Sequence, residues 1–263
     1  LRSLGQPAAG AGDLWAPSHT GGRSSGFRAC LARTTEQIDQ AAALVGELYT
    51  QCGYFDSSSR AGHAPVFQGA DERTFLLQDQ NGQAAATATL VFDRASGLPC
   101  DEVFGAETGL LRRQGRRLAE VTRLAICRRH AGRKMLLIGL FTWLYLYARK
   151  VRGCDDFLIE VNPRHIEYYR RYLLFALLGS EQPCPRVNGA PALLARLELS
   201  VVEREVGRPS QGAPAPGTRT LFPYYCPPDA EREIVRLLRR QHQACTYAAP
   251  VQGDLVKNRR IFD

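Results

Sequence analysis

The residues best placed to do chemistry lie in one apolar stretch, Leu118-Ala-Glu-Val-Thr-Arg-Leu-Ala-Ile-Cys127. Its composition predicts a strand. Alternation puts Glu120, Thr122 and Leu124 on one face, and Val121, Arg123 and Ala125 on the other. A carboxylate and a guanidinium three residues apart on a mostly buried strand need partners. A carboxylate there loses hydration and titrates nearer neutrality, which suits proton abstraction. An ion pair between Glu120 and an arginine elsewhere is the structural alternative. Arg123 reads equally as a group that orients a substrate acid or as a strand arginine paired with Asp101 or Glu102.

The neighbouring segments give this strand a setting. A basic loop, Arg128 to Lys134, leads into an apolar helix over Met135 to Lys150. A strand follows over Asp155 to Val161, then a Tyr-rich helix over Asn162 to Tyr172. Strand, helix, strand at this spacing predicts a parallel β-α-β crossover. The helix's apolar run falls well short of the ~20 residues that span a bilayer, so it is read as a core helix.

The rest of the chain is read around that unit. A strand over 27–32 is followed by a helix capped at Thr34. Strands over 73–79 and 84–93 flank an Asn81-Gly82 hairpin turn. A helix spans Asp101 to Arg113. Two last strands are expected over 173–178 and 192–200, with a Pro-rich connection between them. Residues 1–25 are expected to be disordered, 26–202 to form the main domain, 203–220 a Gly/Pro linker, and 221–263 an extension with one helix after Pro228. The fold class is α/β, with a mixed twisted sheet.

The chain has 263 residues, 44% of them hydrophobic, enough for a substantial core. Eight scattered cysteines without a Cys-x-x-Cys pair argue against a zinc site or a disulfide framework, so no metal is expected and the cysteines read as reduced and cytoplasmic. No secretory leader is expected, because no charged segment followed by an apolar one opens the chain. A formal charge of +8 suits an acidic partner. The arginines are not interleaved with aromatics along one strand face, which counts against a nucleic-acid-binding module. That module remains the alternative outside the enzymes.

The element order resembles the GNAT acyltransferase fold. The stretches Leu118-Ala-Glu-Val-Thr-Arg-Leu-Ala, Gly97-Leu-Pro-Cys-Asp-Glu-Val-Phe-Gly and Asn162-Pro-Arg-His-Ile-Glu-Tyr-Tyr resemble the bacterial N-acyl amino acid synthases, of the long-chain N-acyl tyrosine synthase type. The Glu-x-Thr-Arg pattern is also similar to that of the acyl-homoserine-lactone synthases. The resemblance covers roughly residues 27 to 200. It implies transfer of a fatty acyl group from an acyl carrier protein to an amino acid amine. Acyl-homoserine-lactone-type synthesis or an acyltransferase tied to surface-protein sorting is the enzymatic alternative. The implied splay of the central parallel strands places backbone N–H groups of Leu124, Ala125 and Ile126 near the thioester.

Under that resemblance Glu120 is the candidate base, with Arg123 and Tyr168 beside it as catalytic groups. Asp101, Glu102, Thr122, Asn162, His165 and Tyr169 are candidate substrate contacts, and Tyr168 or Tyr169 could protonate the thiolate. Arg129-His-Ala-Gly132-Arg133-Lys134 follows the fold's phosphate loop up to its last position, where Lys134 replaces the small residue that lets a diphosphate approach. The donor implied is therefore a carrier protein's phosphopantetheine thioester in preference to acyl-CoA, which stays open as the other donor. Arg128, Arg129, Gly132, Arg133 and Lys134 are the groups to meet it, no bound cofactor is expected, and membrane-surface contact is left open.

Overall fold

The computed structural model describes residues 26–54, 71–130, 133–207 and 220–247. The elements are β1 (Arg28–Leu31), α1 (Thr35–Gln51), β2 (Glu72–Gln78), β3 (Ala84–Phe92), α2 (Asp101–Arg113), β4 (Leu118–Ile126), α3 (Arg133–Tyr145, continued by a π turn over Leu146–Val151), β5 (Asp156–Val161), α4 (Pro163–Leu173), β6 (Ala176–Leu177), β7 (Gln182–Cys184), β8 (Ala190–Glu198), α5 (Leu199–Val206) and α6 (Pro228–Tyr247). The sheet order is β1-β2-β3-β4-β5-β8-β6, with β7 also paired to β8. Every pair among the described residues is antiparallel except β4 with β5, the two strands joined by the α3 crossover.

α3 is apolar on all sides because it is enclosed. Leu136 through Ala148 are buried, and the one polar side chain among them that is not aromatic, Thr142, returns its hydroxyl to the Ile138 carbonyl at 2.8 Å. On the opposite face of the sheet, α2 covers Val91, Leu118, Leu158 and Leu194, and α1 packs Leu44 and Val45 on Ala125 and Cys127. Thr34 closes α1 with a capping box, as its Thr-x-x-Gln sequence predicts.

The structure departs from the sequence expectations in four places. The apolar run 173–178 is not one strand: Leu173 ends α4, Leu174 caps it in the left-handed conformation, buried Phe175 packs into the core, and only Ala176–Leu177 pair. A short strand, β7, lies in the Pro-rich connection, held to β8 at its edge where proline is tolerated. Residues 199–206 are helical rather than strand and linker. The Asn81-Gly82 turn carries three residues, closed by Asp79 N–H to the Gln83 carbonyl at 2.9 Å, with Gly82 at φ +74°. Leu221, Phe222, Cys226, Ala230, Ile234 and Leu238 from the C-terminal segment join the same apolar cluster as α3. No helix among the described residues is long and apolar enough to cross a membrane. Residues 1–25, part of the expected linker and residues beyond 247 lie outside the described residues.

Candidate active site at the split between β4 and β5

The parallel pair is short. Leu118, Ala119 and Glu120 stand opposite Asp156, Phe157 and Leu158, and there the pairing ends, although β4 runs on to Ile126 and β5 to Val161. Beyond Glu120 one edge of β4 has no strand partner among the described residues, and its backbone groups face the opening. A bulge adds to the distortion. Thr122 opposes Thr89 and Ala125 opposes Thr87, so Arg123 and Leu124 share the place opposite Ala88. Arg123 sits at φ +52°, a left-handed conformation costly for a side chain that is not glycine or asparagine. The bulge breaks the alternation expected from sequence: Ala125 shares a face with Glu120 and Thr122 instead of opposing them.

The split opens into a cavity of about 1270 Å³ with two unlike halves. On the α3 side it is lined by Leu137, Leu140, Phe141, Leu144, Leu173 and Phe175. On the α2 side Glu120 and Glu160 approach each other, and Arg186 reaches in from the β7–β8 connection.

Glu120 is 2% exposed. Its Oε2 accepts from the backbone N–H of Cys100 at 2.8 Å, at the start of α2. Among the described residues no arginine or lysine forms an ion pair with it. Burial pushes its pKa up to about 7, against the opposing pull of the Cys100 contacts and of the Arg186 charge. The Cys100 thiol, buried against that carboxylate, is pushed well up and stays protonated. Glu160 stands two residues beyond Leu158, on Glu120's side of the sheet. One of its oxygens pairs with Arg186, while Oε1 is buried and has no hydrogen-bond partner among the described residues.

The sequence-derived candidates divide. Thr122, Arg123, Leu124, Ala125, Ile126, Arg128, Lys134, Asn162, His165, Tyr168 and Tyr169 all line the cavity with Glu120. Arg123 donates to Glu72 on β2 at 2.9 Å, a partner that neither Asp101 nor Glu102 supplies. Asp101 lies outside the lining: it accepts from Leu98 N–H, Thr108 and both guanidinium nitrogens of Arg112, and these contacts, working against burial, hold its carboxyl below the usual range. Glu102 is exposed, 3.6 Å from Arg186. Asn162 caps α4 through the Arg164 N–H at 3.1 Å. His165, kept below its usual pKa by burial and by Arg164, accepts from Arg164 Nε at 3.0 Å. Burial raises the pKa values of Tyr168 and Tyr169, so both phenols keep their protons. Arg128 and Arg129 are exposed, and Lys134 lies 5.0 Å over the Tyr172 ring. Gly132 and the Arg133 side chain lie outside the described residues. Sequence reading missed Glu160 and Arg186. Glu160 carried the same signal as Glu120, an acid flanked by apolar residues in a strand, whereas Arg186 follows a proline in a connection and carried none.

The family described as N-acyl amino acid synthase FeeM matches residues 40–198 of this chain. The chain belongs to that family. It is accordingly an acyltransferase that makes N-acyl amino acids on a GNAT-type fold. Among solved structures it is similar to FeeM, an N-acyl amino acid synthase from uncultured soil microbes, with 26% identity over 66% of this chain and 90% of that one and a TM-score of 0.59. Weaker likenesses reach an acyl-CoA N-acyltransferase from Klebsiella pneumoniae (16%, 66% and 97% coverage, TM-score 0.43) and an N-acetyltransferase from Staphylococcus aureus (14%, 66% and 98%, 0.44). A search of curated proteins found no match.

Proposed function

We propose that the synthase takes a long-chain fatty acyl group from the phosphopantetheine thioester of an acyl carrier protein and passes it to the α-amine of an amino acid, in the cytoplasm. The observation that carries this reading is the two-sided cavity at the split, with apolar side chains on one face and Glu120, Glu160 and Arg186 on the other. An acyl chain suits the first half and a zwitterion the second. Arg186 meets the acceptor carboxylate, and the partnerless oxygen of Glu160 receives its ammonium.

Glu120 removes a proton from the ammonium, directly or through a water, as its pKa near 7 permits. The freed amine attacks the thioester carbon, whose oxygen is polarised by N–H groups on the unpaired edge of β4 near Leu124 to Ile126. The C–N bond forms, the C–S bond breaks, and the attacking nitrogen gives up its second proton to solvent to become the amide. The thiolate takes its proton from the Tyr168 phenol, which is restored from solvent. Arg123 holds the bulge through Glu72 and Thr122 stands beside Glu120. Asn162, His165 and Tyr169 shape the acceptor's approach, as Asp101 does indirectly by fixing α2. Arg128, Arg129 and Lys134 meet the acidic carrier, with Gly132 and Arg133 assigned to the same role by their place in the loop sequence, and no bound cofactor is required.

The experiment is reconstitution. The purified chain is given the same acyl group on carrier protein or on CoA together with a mixture of amino acids, and products are read by mass spectrometry. N-acyl amino acids formed at lower concentrations of carrier thioester than of acyl-CoA are expected. Equal use of both donors would remove the carrier protein from the proposal, and products lacking an amino acid would remove the acceptor.

A further inference from the structure

At the opposite end of the β4–β5 pair, where the strands are still joined, a recess of about 350 Å³ is walled by Arg94, Arg116, Arg117 and Arg152, with Phe92, Asp93, Leu118 and Cys154 completing it. It is remote from the split in the sense that matters: Leu118 and Cys154 lie at or just before the starts of β4 and β5, and the cavity at their other ends has no lining residue in common with it.

The carboxylates of this region are already engaged. Asp93 takes both forks of Arg112 at 2.8 Å. Asp71 pairs with Arg94. Asp156 takes Arg116 and Arg196, and Asp155 lies against Arg149 and the Arg117 N–H. Arg117 and Arg152 are left with no carboxylate partner among the described residues. The fold nonetheless brings them together. Gly153, at φ +67°, lets Arg117 cross the turn, where a Cβ would stand 2.8 Å from Arg117 Nη1, and Arg117 donates to the Arg152 carbonyl.

Arg152 is only partly exposed and lies 4.6 Å over the Phe92 ring. Burial, with the like charges of Arg94 and Arg73 nearby, lowers its pKa, so the Phe92 face and the Tyr147 and Cys154 groups offset the cost of its charge only in part. An oxyanion in the recess would offset it. Arginine forks match phosphate oxygens two at a time, and the volume lies at the small end of ligand pockets, enough for a phosphate with a short organic group.

We propose that this recess is a second binding site, distinct from the acyl-transfer site, for a phosphate-bearing anion, either a soluble phosphate ester or an anionic phospholipid headgroup. The ligand would bridge Arg117 and Arg152 across the base of the parallel pair whose far end carries Glu120.

The test uses the full chain and two probes. In thermal melts at fixed ionic strength, millimolar pyrophosphate should raise the wild-type midpoint by about 5 °C over chloride. In flotation, phosphatidylglycerol vesicles are compared with phosphatidylcholine vesicles. Arg152→Gln and Arg117→Gln should abolish whichever response the wild type gives, while melting without ligand stays unchanged or rises, because an uncompensated charge has gone. Acyl transfer without either probe should be unaffected, which separates this site from the proposed donor and acceptor. A pyrophosphate response alone identifies the soluble ester, and a vesicle response the headgroup. No wild-type response to either probe, or responses that survive both substitutions, would overturn the proposal, as would a melting loss in Arg152→Gln large enough to mark that arginine as structural.

Discussion

Two carboxylates on the same parallel strand pair, Asp156 and Glu120, are equally buried and oppositely served. Asp156, at 0% exposure, receives Arg116 through two nitrogens at 2.6 and 2.7 Å and Arg196 at 2.9 Å. Glu120, at 2%, receives a backbone amide and a thiol. At the closed base of the pair the fold spends arginines to hold the strands together. At the split it leaves an acid desolvated where a substrate can reach it. Burial costs a charge its hydration at both ends, and what decides between structure and chemistry is whether the protein or the substrate supplies the partner.

Neutral isosteres should separate the two most sharply. Asp156→Asn strands two guanidiniums and is expected to destabilise the fold by about 3–5 kcal/mol, read by chemical denaturation. If stability hardly changes, the base is not the clamp described.

Glu120→Gln should do the reverse. Turnover should fall by about 10²-fold or more, while stability at pH 8 rises. The sign follows from the raised folded pKa. The folded state holds its proton more tightly than the unfolded chain, so Glu120's contribution is fully present below about pH 4.5 and is lost as pH rises through about 7. The glutamine variant should lack that fall, worth on the order of 3 kcal/mol. A Glu120→Gln protein that is less stable than the parent at pH 8 would place Glu120 with Asp156 as a structural acid.

A smaller effect is expected at the acceptor's carboxylate. Arg186→Gln should raise KM for an amino acid by roughly 10- to 100-fold, the worth of a charged hydrogen bond, yet leave KM for the corresponding decarboxylated amine nearly unchanged. Equal losses with both acceptors would mean that Arg186 serves only Glu160 and Glu102. The least effect belongs to the surface: Arg128→Glu with Arg129→Glu should raise KM for a carrier thioester severalfold, more at low salt, and leave a minimal acyl-pantetheine untouched.

Much of this was legible in the sequence because it rests on periodicity. The apolar α3, the strand carrying Glu120, the helix Asp101–Arg113 and the capped α1 follow from local pattern, and three short motifs pointed to the family. Tertiary effects were not legible. The bulge at Arg123 comes without a glycine to announce it, so the faces of Arg123, Leu124 and Ala125 could not be assigned by alternation. The run after Leu173 reads as strand by composition, but its residues cap a helix and anchor a loop. Arg186 reaches the site only because β7 folds back on β8, a pairing over two prolines that propensity argues against. Asp101 looked like a substrate contact, and Arg112, eleven residues further along α2, claims it instead.

The most direct test of the central reading is the pH dependence of kcat at saturating donor and acceptor, measured on the wild type and on Glu120→Gln. The wild-type rate should rise with pH to a plateau through a midpoint near 7, and the residual rate of the variant should have lost that midpoint. A variant whose profile keeps the wild-type shape at a lower level would show that the titrating group lies elsewhere, on the acceptor's own amine or another side chain, and Glu120 would no longer be the base.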